Sequence, residues 1–192
     1  MTALALAGCQ QATPDKPAFK GIDLTGAEYA RTLNLTDQDG RARSLADFKG
    51  KVVVVFFGYT QCPDVCPTTM AEVAEVKRSL GADGDKVQGV FVTVDPERDT
   101  AALLKAYLAS FDAGFVGLRG SEEQTKAAAK EFKVFYAKVP GKTPESYTMD
   151  HTAASFIFDT EGRVRVYARY GSGAQPVADD IKLLLAEAKK SS

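Results

Sequence analysis

Histidine is almost missing from this chain: His151 is the one imidazole in 192 residues. Any acid–base or metal chemistry that needs a ring nitrogen is therefore confined to that residue. Cysteine is scarce as well. Cys9, Cys62 and Cys66 are three, too few for a disulfide-built secreted scaffold and one short of an all-cysteine zinc or iron–sulfur site. No Cys-x-x-Cys-His occurs, which excludes covalent haem attachment. Charge of one sign is also lacking: 24 basic residues face 25 acidic ones, for a net −1, so there is no electrostatic footprint for nucleic acid. No apolar run approaches the roughly 20 residues of a membrane-spanning helix. Neither a Pro/Ser-rich linker nor an internal repeat divides the chain, and its length suits one sizeable core.

What is present is concentrated in one stretch. The apolar run Val52-Val53-Val54-Val55-Phe56-Phe57 leads through Gly58-Tyr59-Thr60-Gln61 into Cys62-Pro63-Asp64-Val65-Cys66-Pro67. The run lacks polar alternation, so it reads as a strand buried on both faces, as in a parallel sheet. The residues after Pro67 place Met70, Val73, Val76 and Leu80 at helical spacing. A strand-to-helix turn thus carries a Cys-x-x-x-Cys pair at a helix N-terminus, where free N–H groups and peptide dipoles favour thiolate over thiol. Proline after each cysteine disfavours helical backbone at the cysteines and places the start of the helix near Pro67.

The N-terminal residues 1–18 read separately from the rest. The small, uncharged start ending Leu6-Ala7-Gly8-Cys9 is similar to a bacterial lipoprotein cleavage box, with Cys9 as the lipidated residue, and the polar segment after it suits a tether. Residues 19–192 read as one domain. An N-terminal hairpin is expected from residues 32–36 and 42–45 around Asp37-Gln38-Asp39-Gly40. Residues 87–94 form a second buried strand, and Asp99 is expected to cap the helix that follows, with Leu103, Leu104, Tyr107 and Leu108. Residues 115–118 read as a short strand. Ser121-Glu122-Glu123-Gln124 has the form of a capping box opening a helix to Phe132. Residues 134–137 suggest a short strand and 138–149 a surface loop. Residues 155–158 and 164–168 read as a hairpin, and 181–188 as a closing amphipathic helix. This order is that of an α/β, thioredoxin-like fold with an N-terminal β-hairpin extension and an inserted strand, helix and loop.

In open α/β sheets functional groups gather beyond the carboxyl ends of the parallel strands. Cys62 and Cys66 follow the first such strand, Asp95-Pro96-Glu97-Arg98-Asp99-Thr100 the second, and Asp150-His151-Thr152 precedes the C-terminal hairpin. In a thioredoxin-like chain these positions bring Cys62, Cys66 and His151 together. Two thiolates and an imidazole make a soft set suited to copper(I), and to copper(II) if a water or carboxylate joins. Zinc is an alternative if Asp64 or Asp150 supplies a fourth ligand. The pair can also close a disulfide and act on partner thiols without metal. A peroxidase site is a poorer match, since Pro63 stands where a Ser or Thr would precede the reactive cysteine. Asp150, Asp64 and Asp95 are candidates for supporting positions around the ligands. The segment from Asp95 to Thr100 reads equally as a helix start and as a docking or supporting element, and Tyr59 and Phe57 as core-edge packing.

At these residues the sequence resembles the Sco/SenC copper chaperones of respiratory oxidase assembly. Three motifs carry the resemblance in order: Gly58-Tyr59-Thr60-Gln61-Cys62-Pro63-Asp64-Val65-Cys66-Pro67, Val94-Asp95-Pro96-Glu97-Arg98-Asp99-Thr100 and Asp150-His151-Thr152. The resemblance implies a thioredoxin-like domain whose Cys62, Cys66 and His151 bind one copper. It implies delivery of that copper to the dinuclear copper site of a cytochrome oxidase subunit, or upkeep of that subunit's thiols, with exchange among other copper or thiol carriers. It also implies a periplasmic or otherwise extracytoplasmic protein held to a membrane through its N-terminus. Ala153 falls where thioredoxin-type reductases carry a cis-proline, so the platform for substrate disulfides is altered. The alternative function is a thiol–disulfide oxidoreductase.

Overall fold

A computed structural model describes residues 18–143 and 146–190. The lipoprotein-like start and Cys9 lie outside the described residues. Eight strands form one mixed sheet in the order β1-β10-β9-β4-β5-β6-β2-β3. They are β1 (Ile22–Asp23), β2 (Leu35–Asp37), β3 (Ala42–Arg43), β4 (Val52–Gly58), β5 (Val87–Thr93), β6 (Val116–Arg119), β9 (Ala154–Phe158) and β10 (Val164–Arg169). A separate two-stranded sheet pairs β7 (Tyr136–Pro140) with β8 (Tyr147–His151). The described residues also form four α-helices: α1 (Val65–Ser79), α2 (Ala101–Ala109), α3 (Glu122–Glu131) and α4 (Ala174–Lys190).

The unbroken valine–phenylalanine run makes β4 the centre of the sheet. It pairs in parallel with β5, from Val52↔Val87 to Gly58↔Thr93, and antiparallel with β9. Every residue of β4 and β5 is buried, as expected for strands covered on both faces. Each large apolar side chain so buried contributes roughly 1.5–3 kcal/mol. Phe57 points to Phe132 at the end of α3, 5.1 Å between ring centroids, and Phe132 also meets Phe156 and Phe158. Helices α1 and α4 pack side by side, while α2 lies on β6. The α/β, thioredoxin-like fold class is that expected from the sequence.

Several boundaries differ, each for a local reason. Helix α1 begins at Val65, so Cys66 is helical despite the proline after it. Pro67 falls in the first turn, where no backbone N–H has a helical acceptor to lose. Thr100, not Asp99, caps α2: its hydroxyl accepts the Leu103 N–H at 3.2 Å. Helix α4 starts at Ala174, seven residues earlier than its apolar spacing suggests, because Pro176 is tolerated in a first turn. The expected loop 138–149 is largely the β7–β8 hairpin. Its inner face packs Tyr147, Met149 and His151 on the rest of the domain and its outer face is wet, but the alternation is short and stands beside Lys138, Pro140 and Gly141, which read as loop. Strand β1 is an unannounced two-residue edge on β10.

Candidate metal centre

Three elements converge on one point. The turn after β4 carries Cys62, the first turn of α1 carries Cys66, and the end of β8 carries His151. The two Sγ atoms and an imidazole nitrogen all lie within 4.8 Å of one another. The turn is closed by the Cys62 N–H donating to the Tyr59 carbonyl at 3.2 Å. The Cys66 N–H then donates to Cys62 Sγ at 3.4 Å, one of the free amides of the helix N-terminus. Cys66 is fully buried and Cys62 half-buried.

The imidazole is aimed by its surroundings. Nε2 lies 3.4 Å from Cys66 Sγ, and Nδ1 lies 3.1 Å from the Thr152 carbonyl. A carbonyl only accepts, so Nδ1 carries the ring proton and Nε2 offers its lone pair toward the sulfurs. Phe56 and Tyr59 meet the ring edge-on, at 5.8 and 5.9 Å between centroids.

Electrostatics divides the two thiols. The hydrogen bond between the cysteines draws Cys62 down from 9.0 to about 4, against the effect of burial, with further help from the Asp64 and Cys66 N–H groups. The same hydrogen bond and burial push Cys66 far above its ordinary value. The metal-free site is therefore a thiolate at Cys62 with one proton held at Cys66. A soft cation binding between two sulfurs and a nitrogen replaces that proton, and the donor set fits copper(I).

The remaining expected residues are placed differently. Asp64 is exposed; its side chain accepts from the Tyr170 hydroxyl at 3.4 Å, and its contribution to the site is its backbone N–H. Asp150 is exposed on the outer face of β8, and the Thr152 carbonyl, not this carboxylate, orients His151. Asp95 is buried and accepts from the Tyr147 hydroxyl at 2.9 Å and from Arg98, at one remove from the ligands. The Ala153 carbonyl takes the Tyr170 N–H at 3.0 Å.

Five contributors were not legible as such. Thr152 acts through its backbone, which leaves no residue signature. Tyr59 and Phe56 frame the imidazole, whereas Phe57 faces away into the core. Gly58 makes room: a Cβ there would lie 2.8 Å from Cys66 Sγ and from Phe56, and 3.0 Å from Phe91. Asp99 is fully buried and holds the start of the cysteine turn, accepting from the Thr60 N–H at 3.1 Å, the Thr60 hydroxyl at 2.6 Å and the Thr93 hydroxyl at 2.5 Å.

Fold and site together define a thioredoxin-like domain with a Cys–Cys–His cluster that could hold a metal ion. Residues 23–186 match the SCO1/SenC family model, and the chain belongs to that family. A SCO2-like protein of Rickettsia felis is 32% identical over 173 residues, covering 88% of this chain and 84% of that protein. The structure of Bradyrhizobium japonicum ScoI with copper bound aligns with a TM-score of 0.73 at 43% identity, covering 80% of this chain and 97% of the other. Apo Sco1 from Thermus thermophilus gives a TM-score of 0.76 at 35% identity, covering 88% and 97%.

Proposed function

We propose that this chain is a copper metallochaperone that binds one copper through Cys62, Cys66 and His151. It delivers that copper to the dinuclear copper site of a cytochrome oxidase subunit, or maintains that subunit's thiols. The observation that carries the reading is the convergence of three soft donor atoms within 4.8 Å. It is supported by the copper bound to the Bradyrhizobium relative and by the role of the Sco family in cytochrome c oxidase assembly. Cys62, the half-buried thiolate, is the ligand that an incoming soft donor reaches first.

The protein works outside the cytoplasm, attached to a membrane by lipid on Cys9. Supporting this are the lipobox-like Leu6-Ala7-Gly8-Cys9 and a Bacillus anthracis SCO1/SenC family lipoprotein of the same fold. Among the described residues no helix is long and apolar enough to cross a membrane.

A second reading rests on the adjacent thiols. Loss of two electrons to an oxidant, with release of the one proton on Cys66, joins Cys62 to Cys66, removes both sulfur ligands and so abolishes copper(I) binding; reduction by a dithiol restores the site. Disulfide exchange with partner cysteines would use the same pair without metal.

Replacing His151 with Ala separates the two. Loss of a direct ligand should lower copper affinity by more than the roughly 10–100-fold that loss of an outer hydrogen-bond partner costs, while dithiol–disulfide exchange continues. Unchanged copper affinity would remove His151 from the ligand set.

A further inference from the structure

The ligands of the metal centre come from two bodies that share no β-ladder. Cys62 and Cys66 belong to the β4–α1 turn of the main sheet, whereas His151 ends a strand of the separate β7–β8 hairpin. A side chain from neither body bridges them. Arg98, in the loop between β5 and α2, donates through Nη1 to the Gln61 side-chain oxygen at 3.0 Å and to the Tyr147 carbonyl at 3.0 Å. Gln61 immediately precedes Cys62, and Tyr147 lies four residues before His151 on the same strand. The Arg98 Nε donates to the buried Asp95 carboxylate, which also accepts from the Tyr147 hydroxyl at 2.9 Å.

The Tyr147 ring is held by more than its hydroxyl. The Arg98 guanidinium lies over it at 3.5 Å from the centroid and the Lys138 ammonium at 3.7 Å. Two cations that close would collide on a single face, so they take opposite faces and grip the ring between them. Lys138 belongs to β7 and its ammonium pairs with Glu97 at 3.0 Å, from the same loop as Arg98. The Arg98–Tyr147, Asp95–Tyr147 and Lys138–Glu97 links run between the hairpin and the segment from Asp95 to Arg98. Arg98 also reaches the site itself, 5.8 Å from the ring of Tyr59, which frames His151. Its Nη2 is buried without a hydrogen-bond partner. Lysine or glutamine would avoid that orphan group, but neither reaches Asp95, Gln61 and the Tyr147 carbonyl at once.

We propose that Arg98 and Tyr147 form a latch that holds the His151-bearing hairpin against the cysteine turn, so that the three ligands are assembled before metal arrives. Both are positioning residues: neither touches a ligand atom. The latch sets the aim of His151 and thereby the rate at which the third ligand engages and releases. The proposal concerns the metal-free protein, and it rests on the metal reading above only for its functional consequence.

The test uses the reduced, metal-free full chain. His151 is its sole histidine, so acylation by diethyl pyrocarbonate reports on one imidazole. In Arg98→Gln and in Tyr147→Leu, acylation should accelerate on the order of tenfold, as local opening of the hairpin becomes easier. Tyr147→Phe, which keeps the ring between its cations, should stay near the parent rate, and Arg98→Lys should fall between. Loaded with copper(II), Arg98→Gln and Tyr147→Leu should show weakened histidine-nitrogen hyperfine coupling with thiolate-to-copper absorption retained. Should Arg98→Gln fail to fold, Tyr147→Leu keeps the guanidinium and carries the same expectation. Acylation rates and imidazole NMR shifts equal to the parent in both variants would overturn the latch. Faster acylation in both variants, together with a parent protein that binds no copper, would uphold the latch while rejecting the metal reading.

Discussion

At Cys62 and Cys66 one proton decides how metal binding responds to pH. Cys62 is a thiolate down to about pH 4, held there by the cysteine–cysteine hydrogen bond, while Cys66 keeps its proton because of that bond and burial. Copper must therefore displace one proton at and above neutral pH, and apparent affinity should rise about tenfold per pH unit. A titration against a competing chelator checks the slope; two protons per copper in that range would contradict the assignment. Alkylation mapping should find Cys62 modified at mildly acid pH and buried Cys66 protected. Gly58 supplies a second test at this scale. Gly58→Ala places a methyl 2.8 Å from Cys66 Sγ, and overpacking there should destabilise the fold by about 1–3 kcal/mol and displace the ligand. Thermal unfolding and copper binding measured together would reveal a parent-like variant, the contrary outcome.

Among the elements, the loop from β5 to α2 matters most beyond the ligand turn. Burial raises the pKa of Asp99 above its ordinary 3.8, and hydrogen bonds from Thr60 and Thr93 only partly offset this. A carboxyl whose folded pKa is raised stabilises the fold below its unfolded value, and that contribution is lost as pH rises through the folded value. Asp99→Asn cannot ionise, so its stability relative to the parent should improve as pH rises from below 4 to neutrality. Urea unfolding across that range measures the difference; a change in the parent's favour would contradict the assignment. The sequence identified the segment from Asp95 to Thr100 as special without dividing its labour. A buried aspartate preceding a capping threonine looks like a cap, and only the fold shows Thr100 capping α2 while Asp99 holds Thr60. The β7–β8 hairpin was hidden for a similar reason. Its inner face is aromatic and polar, its outer face wet, and Lys138, Pro140 and Gly141 read as loop. The long strands β4 and β5 and the capping box of α3 were legible because burial on both faces and the Ser121/Gln124 reciprocal bonds leave direct marks in residue type.

Over the whole molecule, the scarcity of metal-binding side chains made the centre readable. With one histidine and two neighbouring cysteines at a strand-to-helix turn, the fold had only to bring three residues together, and β8 brings His151 to the N-terminus of α1. What residue types could not convey was the support: a backbone carbonyl at Thr152, an absent side chain at Gly58 and a guanidinium bridging two sheets. A soft, three-coordinate centre held by a rigid scaffold should discriminate against zinc, which seeks a fourth ligand that neither exposed Asp64 nor exposed Asp150 is placed to give. The most direct test is metal stoichiometry of the reduced protein, prepared without oxygen and offered copper(I) and zinc(II) in competition. One copper(I) per chain, retained in the presence of excess zinc, is the predicted result; displacement of copper(I) by zinc would contradict the account.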